Sequence, residues 1–268
     1  MILAKQQPVP IGVFDSGFGG LHILSALRDL LPAADLVYFG DSARSPYGPR
    51  PSSEIKRFSV EIARYLVREW GIAMLVVGCN TASAAALETL KEELEIPVIG
   101  VIEAGARAAR LASPTGKVGV IGTVGTIAAG AYQRLLGDLE LVCQACPGVV
   151  EFVERGECDS EQLDILLERL LEPIRIEAPE ALLLGCTHYP YVAKAISKAV
   201  GESVLLISGA EETAFEVRGY ELANRSHGGE TIFLCTGDPE CFVRVGARLY
   251  GSGLKSVRVV DLAELEGE

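Results

Sequence analysis

Short apolar runs recur along the chain and alternate with longer stretches in which apolar positions follow the 3.6-residue rhythm of a helix. The runs predict strands at 10–14, 35–39, 72–77, 97–101, 117–121, 139–143, 180–184, 203–207, 231–235 and 255–260. Between Ser53 and Trp70, the positions Ile55, Phe58, Ile62, Tyr65 and Leu66 fall on one helical face, and Leu163, Leu166, Leu167 and Leu170 do the same within Glu161 to Leu171. Strands separated by helices in this way predict a doubly wound α/β architecture.

The pattern also repeats. Leu75-Val76-Val77-Gly78-Cys79-Asn80-Thr81 and Leu182-Leu183-Leu184-Gly185-Cys186-Thr187-His188 are both apolar runs that end in Gly-Cys, followed by small polar residues and a helical stretch. The two cysteines stand 107 positions apart, and the same shift lays Gly12-Val13-Phe14-Asp15-Ser16 on Gly119-Val120-Ile121-Gly122-Thr123. Leu36-Val37 meets Leu141-Val142 at a shift of 105. These matches predict two similar doubly wound α/β domains related by a pseudo-two-fold axis, with a cleft between them. Open α/β sheets bind ligands at the carboxyl ends of their strands, so two facing sheets would line that cleft from both sides.

Composition narrows the possibilities. The 268 residues are 49% hydrophobic, enough for a sizeable core, and the net charge of −12 argues against sequence-independent nucleic-acid binding. An anionic substrate would therefore need local donors such as helix N-terminal amides. The seven cysteines form no regular disulfide or zinc framework, and Cys143 and Cys146 are expected only to end a strand. Met1 to Pro10 is polar and holds two prolines, and no apolar run reaches transmembrane length. A reducing cytoplasm, with no membrane partner, is the expected setting.

The chemistry gathers at strand ends. Asp15-Ser16-Gly17-Phe18-Gly19-Gly20 lets backbone approach a ligand, or simply caps a helix. Gly40 to Gly48, rich in glycine and proline, is either a binding loop or a spacer. Each Gly-Cys corner places a thiol at a helix N-terminus, a setting expected to lower its pKa. Two such thiols on opposite faces of one carbon acid could invert a stereocentre, one removing the α-proton and the other delivering a proton. By the repeat, Asp15 should sit beside Cys79, and Gly122-Thr123 beside Cys186, with His188 standing in for the missing acid. A two-lobed amino-acid receptor and Cys-His acyl transfer are the alternatives. Dinucleotide binding is weaker, since Gly119-x-x-Gly122-x-x-Gly125 lacks the required spacing.

With these residues in view, the chain resembles the bacterial glutamate racemases. The likeness rests on Phe14 to Gly20, Pro46-Tyr47-Gly48, Gly78 to Ala84, Pro97 to Glu103, Thr126 to Gln133 and Gly185 to Pro190, in order over about residues 10 to 250. It implies a cofactor-independent, homodimeric two-base enzyme that supplies D-glutamate for peptidoglycan. Aspartate or a hydantoin are the alternative substrates within the superfamily. Carried over position by position, Cys79 and Cys186 would exchange protons with glutamate, supported by Asp15 and His188, with Glu154 as a further support. Asp15 and Ser16 would lie near the ammonium group. Asn80, Thr81 and Thr187 would hold the α-carboxylate, with His188 also in contact. The Pro46-Tyr47-Gly48 backbone would hold the side-chain carboxylate. Ala104 and Gly148-Val149-Val150-Glu151 depart from the usual pattern. The repeat and the resemblance together divide the chain into 1–100 plus 209–268, and 101–208.

Overall fold

The structure, a computed structural model, describes residues 9–221 and 228–266. Most of the Met1 to Pro10 stretch read for an export signal therefore lies outside the described residues. Chain order begins β1 (Ile11–Asp15), α1 (Leu21–Leu30), β2 (Leu36–Gly40), α2 (Ser52–Trp70), β3 (Met74–Val77), α3 (Asn80–Glu93), β4 (Val98–Gly100) and α4 (Val101–Ala112). It continues with β5 (Lys117–Gly122), α5 (Val124–Ala128), α6 (Ala131–Leu136), β6 (Glu140–Ala145), α7 (Val149–Arg155), α8 (Glu161–Leu170), α9 (Glu172–Glu177) and β7 (Ala181–Gly185). A 3-10 turn (Tyr189–Val192) then leads to α10 (Ala193–Val200), β8 (Leu205–Ile207), α11 (Ala210–Arg218), β9 (Thr231–Cys235), α12 (Pro239–Tyr250), β10 (Arg258–Val259) and α13 (Leu262–Glu266).

Each predicted strand segment overlaps an observed strand, with ends that differ by up to a few residues. Those at 72–77, 97–101, 203–207 and 255–260 are shorter than predicted: Ile72, Val204 and Val260 pack into the core outside the strand ladder, and Val101 already begins α4. All strand pairs are parallel, in a six-stranded sheet ordered β10-β9-β2-β1-β3-β4 and a four-stranded sheet ordered β6-β5-β7-β8. The order of the last four strands of the first sheet, β2-β1-β3-β4, matches that of the second. Register follows too: Ile11 faces Leu36 and Met74, while Val118 faces Leu141 and Ala181. The repeat slips by one at the far edge, where Leu75 faces Val98 but Leu182 faces Leu206.

Parallel strands carry helices on both faces, so alternate side chains enter different cores. In β3, Met74 and Val76 join one cluster while Leu75 and Val77 join the other. In β7, Leu183 faces one way and Leu182 and Leu184 the other. Helix α2 supplies Ile55, Phe58, Ile62, Tyr65 and Leu66 to its sheet, each worth ~1.5–3 kcal/mol of burial. It stops at Gly71, whose φ of 57° is a left-handed cap that glycine adopts without strain. The halves are not independent. Leu249 of α12 packs against a core cluster of each, and Arg248 donates to the carbonyls of Glu154 and Arg155 at the end of α7. Among the described residues, no helix is long and apolar enough to cross a membrane.

Candidate active site

The carboxyl ends of both sheets open on one cavity, which encloses about 680 Å³ of atom-free space including its mouth. Ser16 follows β1, Pro46, Tyr47 and Gly48 follow β2, and Cys79, Asn80 and Thr81 follow β3. Cys186, Thr187 and His188 follow β7 across the cleft. Both sulfurs thus belong to one enclosure, lined from two sheets. Among the described residues, Glu151 is the one carboxylate in the lining, and no Lys or Arg lines it. Bound anions must therefore be met by amides, hydroxyls and His188. Among the described residues, no group of three or more His, Cys, Asp or Glu side chains is placed to hold a metal.

The two corners are built differently. Cys79 is the N-cap of α3, in extended backbone, with its sulfur 3.4 Å from the Ala82 amide that it accepts from. Its own hydrogen points to Ser16 Oγ at 3.6 Å. The helix terminus was expected to lower this thiol's pKa, but burial, followed by the nearby Asp15 carboxylate, pushes it up to about 12. The loss of water outweighs the amide and the hydroxyl, so Cys79 is held as a thiol. Cys186 instead has His188 Nδ1 at 4.0 Å, and His188 Nε2 lies 3.1 Å from Glu154 Oε1. Burial opposes charge on this ring, yet the hydrogen bonds to Cys186 and Glu154 prevail and lift it to about 10. An imidazolium backed by a carboxylate therefore stands beside one sulfur, and an amide and a hydroxyl stand beside the other.

Two of the predicted residues stand behind the lining. Asp15, placed by sequence near the ammonium group, is fully buried and does not line the cavity. Its Oδ2 accepts from the Gly17 amide at 2.8 Å, tying down the turn, and its Oδ1 is 3.5 Å from the Thr187 hydroxyl of the other half. Burial raises its pKa, against the opposing pull of His188. Glu154 reaches the cavity only through His188. The Tyr47 phenol hydrogen-bonds Asp41, and Tyr47 and Gly48 both line the cavity. Thr123 is beside Cys186 by strand pairing, since Gly122 faces Gly185, but its hydroxyl crosses to Thr81 at 2.9 Å.

The sequence reading missed Pro49, Val124, Cys146, Pro147, Gly148, Val150 and Glu151 as parts of the wall. Cys146 does follow a strand, as expected, but it also lines the cavity. Burial, then Cys186, pushes its pKa up to about 12. The signal was available in the repeat. At the 105-residue shift, the binding loop starting at Asp41 corresponds to a loop starting at Cys146.

The raised His188 value has a consequence for stability. A group raised from 6.5 to about 10 on folding stabilises the folded state fully below pH 6.5, and that contribution is lost as pH climbs through 10. The stabilising contribution of this proton should decline as pH climbs toward and through 10. Urea midpoints measured across that range should show the decline, and His188→Gln should flatten it.

The Asp/Glu/Hydantoin racemase profile matches residues 21–216. A glutamate racemase from Thermus thermophilus is 48% identical over 268 residues, covering 97% of this chain and 100% of the relative. The crystal structure of a glutamate racemase isoform from Bacillus anthracis superposes with a TM-score of 0.88 at 38% identity, covering 96% and 98% of the two chains. That of the Francisella tularensis glutamate racemase in complex with D-glutamate gives 0.87 at 32%, covering 95% and 98%. The chain belongs to the Asp/Glu/hydantoin racemase family and groups there with the glutamate racemases.

Proposed function

We propose that the protein interconverts L- and D-glutamate by proton transfer between Cys79 and Cys186, without a cofactor. The observation that carries this reading is the single cavity lined by both sulfurs, one from each sheet. Starting from one enantiomer, the Cys186 sulfur takes the α-proton, and the cationic His188 ring 4.0 Å away stabilises the negative charge on that sulfur beforehand. The electron pair left on the α-carbon spreads into the α-carboxylate, where Asn80, Thr81 and Thr187 donate hydrogen bonds that strengthen as charge builds. The Cys79 thiol then gives its proton to the opposite face. The reaction leaves Cys186 as a thiol and Cys79 as a thiolate, the arrangement from which the other enantiomer follows the same path in reverse; between like turnovers the Cys186 proton leaves to solvent through His188 and Glu154, and Cys79 regains a proton from solvent.

Ser16 faces the ammonium group in this reading, and the Pro46-Tyr47-Gly48 backbone meets the side-chain carboxylate. Asp15 acts from behind, holding the Ser16 turn and Thr187. The sheet memberships support treating 1–100 with 209–268 as one unit and 101–208 as the other, closing on the substrate between them. In this reading the enzyme works in the cytoplasm as a homodimer and feeds D-glutamate to peptidoglycan assembly.

The test is direct. Optically pure L-glutamate, incubated with the reduced protein and no added cofactor or metal, should lose its rotation and gain solvent deuterium at the α-carbon. Constant rotation with folded protein rejects the reading, and a parallel assay with aspartate separates a change of substrate from a change of chemistry.

A further inference from the structure

We infer that Tyr132 is a positioning residue for both halves of the site: it fixes which end of the Asn80 amide faces the substrate and braces one cysteine corner against the other. This inference rests on the racemase reading and adds a residue that lines none of the substrate cavity.

Tyr132 lies on α6 and is almost wholly buried. Its hydroxyl donates to Asn80 Oδ1 at 2.6 Å, crossing from the second half to the first. Asn80 is the residue after Cys79 and lines the cavity. The edge of the same ring lies against Gly185, the residue before Cys186. A Cβ there would come within 3.0 Å of Tyr132 Cε2 and 2.7 Å of the Ile121 carbonyl. The ring therefore spans from one corner to the other, in a slot left open by Gly185 and, beside the hydroxyl, by Gly105.

The chemistry of the contact sets a direction. Burial, followed by the Glu103 and Cys186 charges, raises the phenol's pKa, so it stays protonated and needs an acceptor. Among the described residues, Asn80 Oδ1 is the acceptor it has. Turning the amide over would strand the phenol hydrogen in a buried space, which is costly. With Oδ1 occupied, the Nδ2 hydrogens are left for the cavity, and Asn80 becomes a donor that can serve a carboxylate. A freely rotating asparagine would present its carbonyl to the anion part of the time.

Tyr132→Phe removes the hydroxyl and keeps the ring, so it isolates the orienting bond. KM for both L- and D-glutamate should rise about tenfold while kcat falls less than threefold, and calorimetry should show D-glutamate binding weakened by the same factor. In an Asn80→Ala background, Tyr132→Phe should change KM less than twofold, because the hydroxyl acts through Asn80. A purely structural role would lower the melting temperature and add its effect in both backgrounds. KM within twofold of wild type in folded Tyr132→Phe, or additive effects in the double variant, overturns the inference. Should the phenylalanine variant not fold, Asn80→Asp tests the same geometry. A carboxylate still accepts from Tyr132 but has no N–H to offer, so KM must rise at least tenfold with the melting temperature held. An unchanged KM rejects the role. If the wild-type protein turns over aspartate instead of glutamate, the functional reading fails separately, and the same cycle runs with aspartate.

Discussion

Cys79→Ala and Cys186→Ala should each lower racemisation by at least ~10³-fold, within the range that a positioned acid or base contributes. The double variant should be no slower than either single one. Each turnover uses one sulfur to take a proton and the other to give one, so removing either already stops inversion, and effects of groups that act as a unit do not add. Chiral chromatography of reactions started from each enantiomer measures this, with circular dichroism to confirm folding. Both thiols are buried at the ends of apolar strands, and losing one sulfur leaves a small void that the fold tolerates. A single-alanine variant with about a tenth of normal turnover would remove the two-base scheme.

His188→Gln should lower kcat by about 10²-fold, and its kinetic signature should be asymmetric in one respect only. Enantiomers in achiral solvent have an equilibrium constant of unity, so kcat/KM must fall equally in both directions. The asymmetry appears in isotope effects. His188 stands by Cys186 and not by Cys79, so proton removal by Cys186 becomes the slow step. The enantiomer that gives its α-hydrogen to Cys186 should show an enlarged effect with α-deuterated substrate, and its mirror image a diminished one. Glu154→Gln should move the same quantities the same way, by about tenfold, because Glu154 reaches the sulfur through the imidazole. Equal isotope effects for both enantiomers in His188→Gln would mean that His188 does not serve Cys186.

Strands were legible because parallel strands covered on both faces must be apolar throughout, as in Leu36–Gly40 and Ala181–Gly185, where every residue is buried. The paired corners were legible because the duplication kept Gly-Cys at both strand ends. The position of Asp15 was not. Whether a carboxylate faces a cavity or a backbone amide depends on its rotamer, and the Gly17 amide decides it here. The 146–151 wall was harder to see because its Pro147-Gly148 pair is followed directly by the apolar Val149-Val150 and the start of a helix, so the shift between the halves is what points to it. Tyr132 lay within the Thr126 to Gln133 likeness, but nothing in the sequence tied it to the site, since its partner lies 52 positions away in the other half.

The strand order also bears on how the protein is made. Strand β2 is interior in the finished sheet, flanked by β1 and β9, yet β9 leaves the ribosome nearly two hundred residues after β2. During that interval a nascent chain carries an open edge with the wholly apolar stretch Leu36-Val37-Tyr38-Phe39, a template for pairing with a neighbouring polypeptide. The other sheet is drawn from one unbroken stretch, Lys117 to Ile207, and its β6 edge stays partly exposed even when complete. That stretch can finish while its elder twin waits, so the hazardous period in synthesis ends only when Thr231–Cys235 emerges and closes the gap.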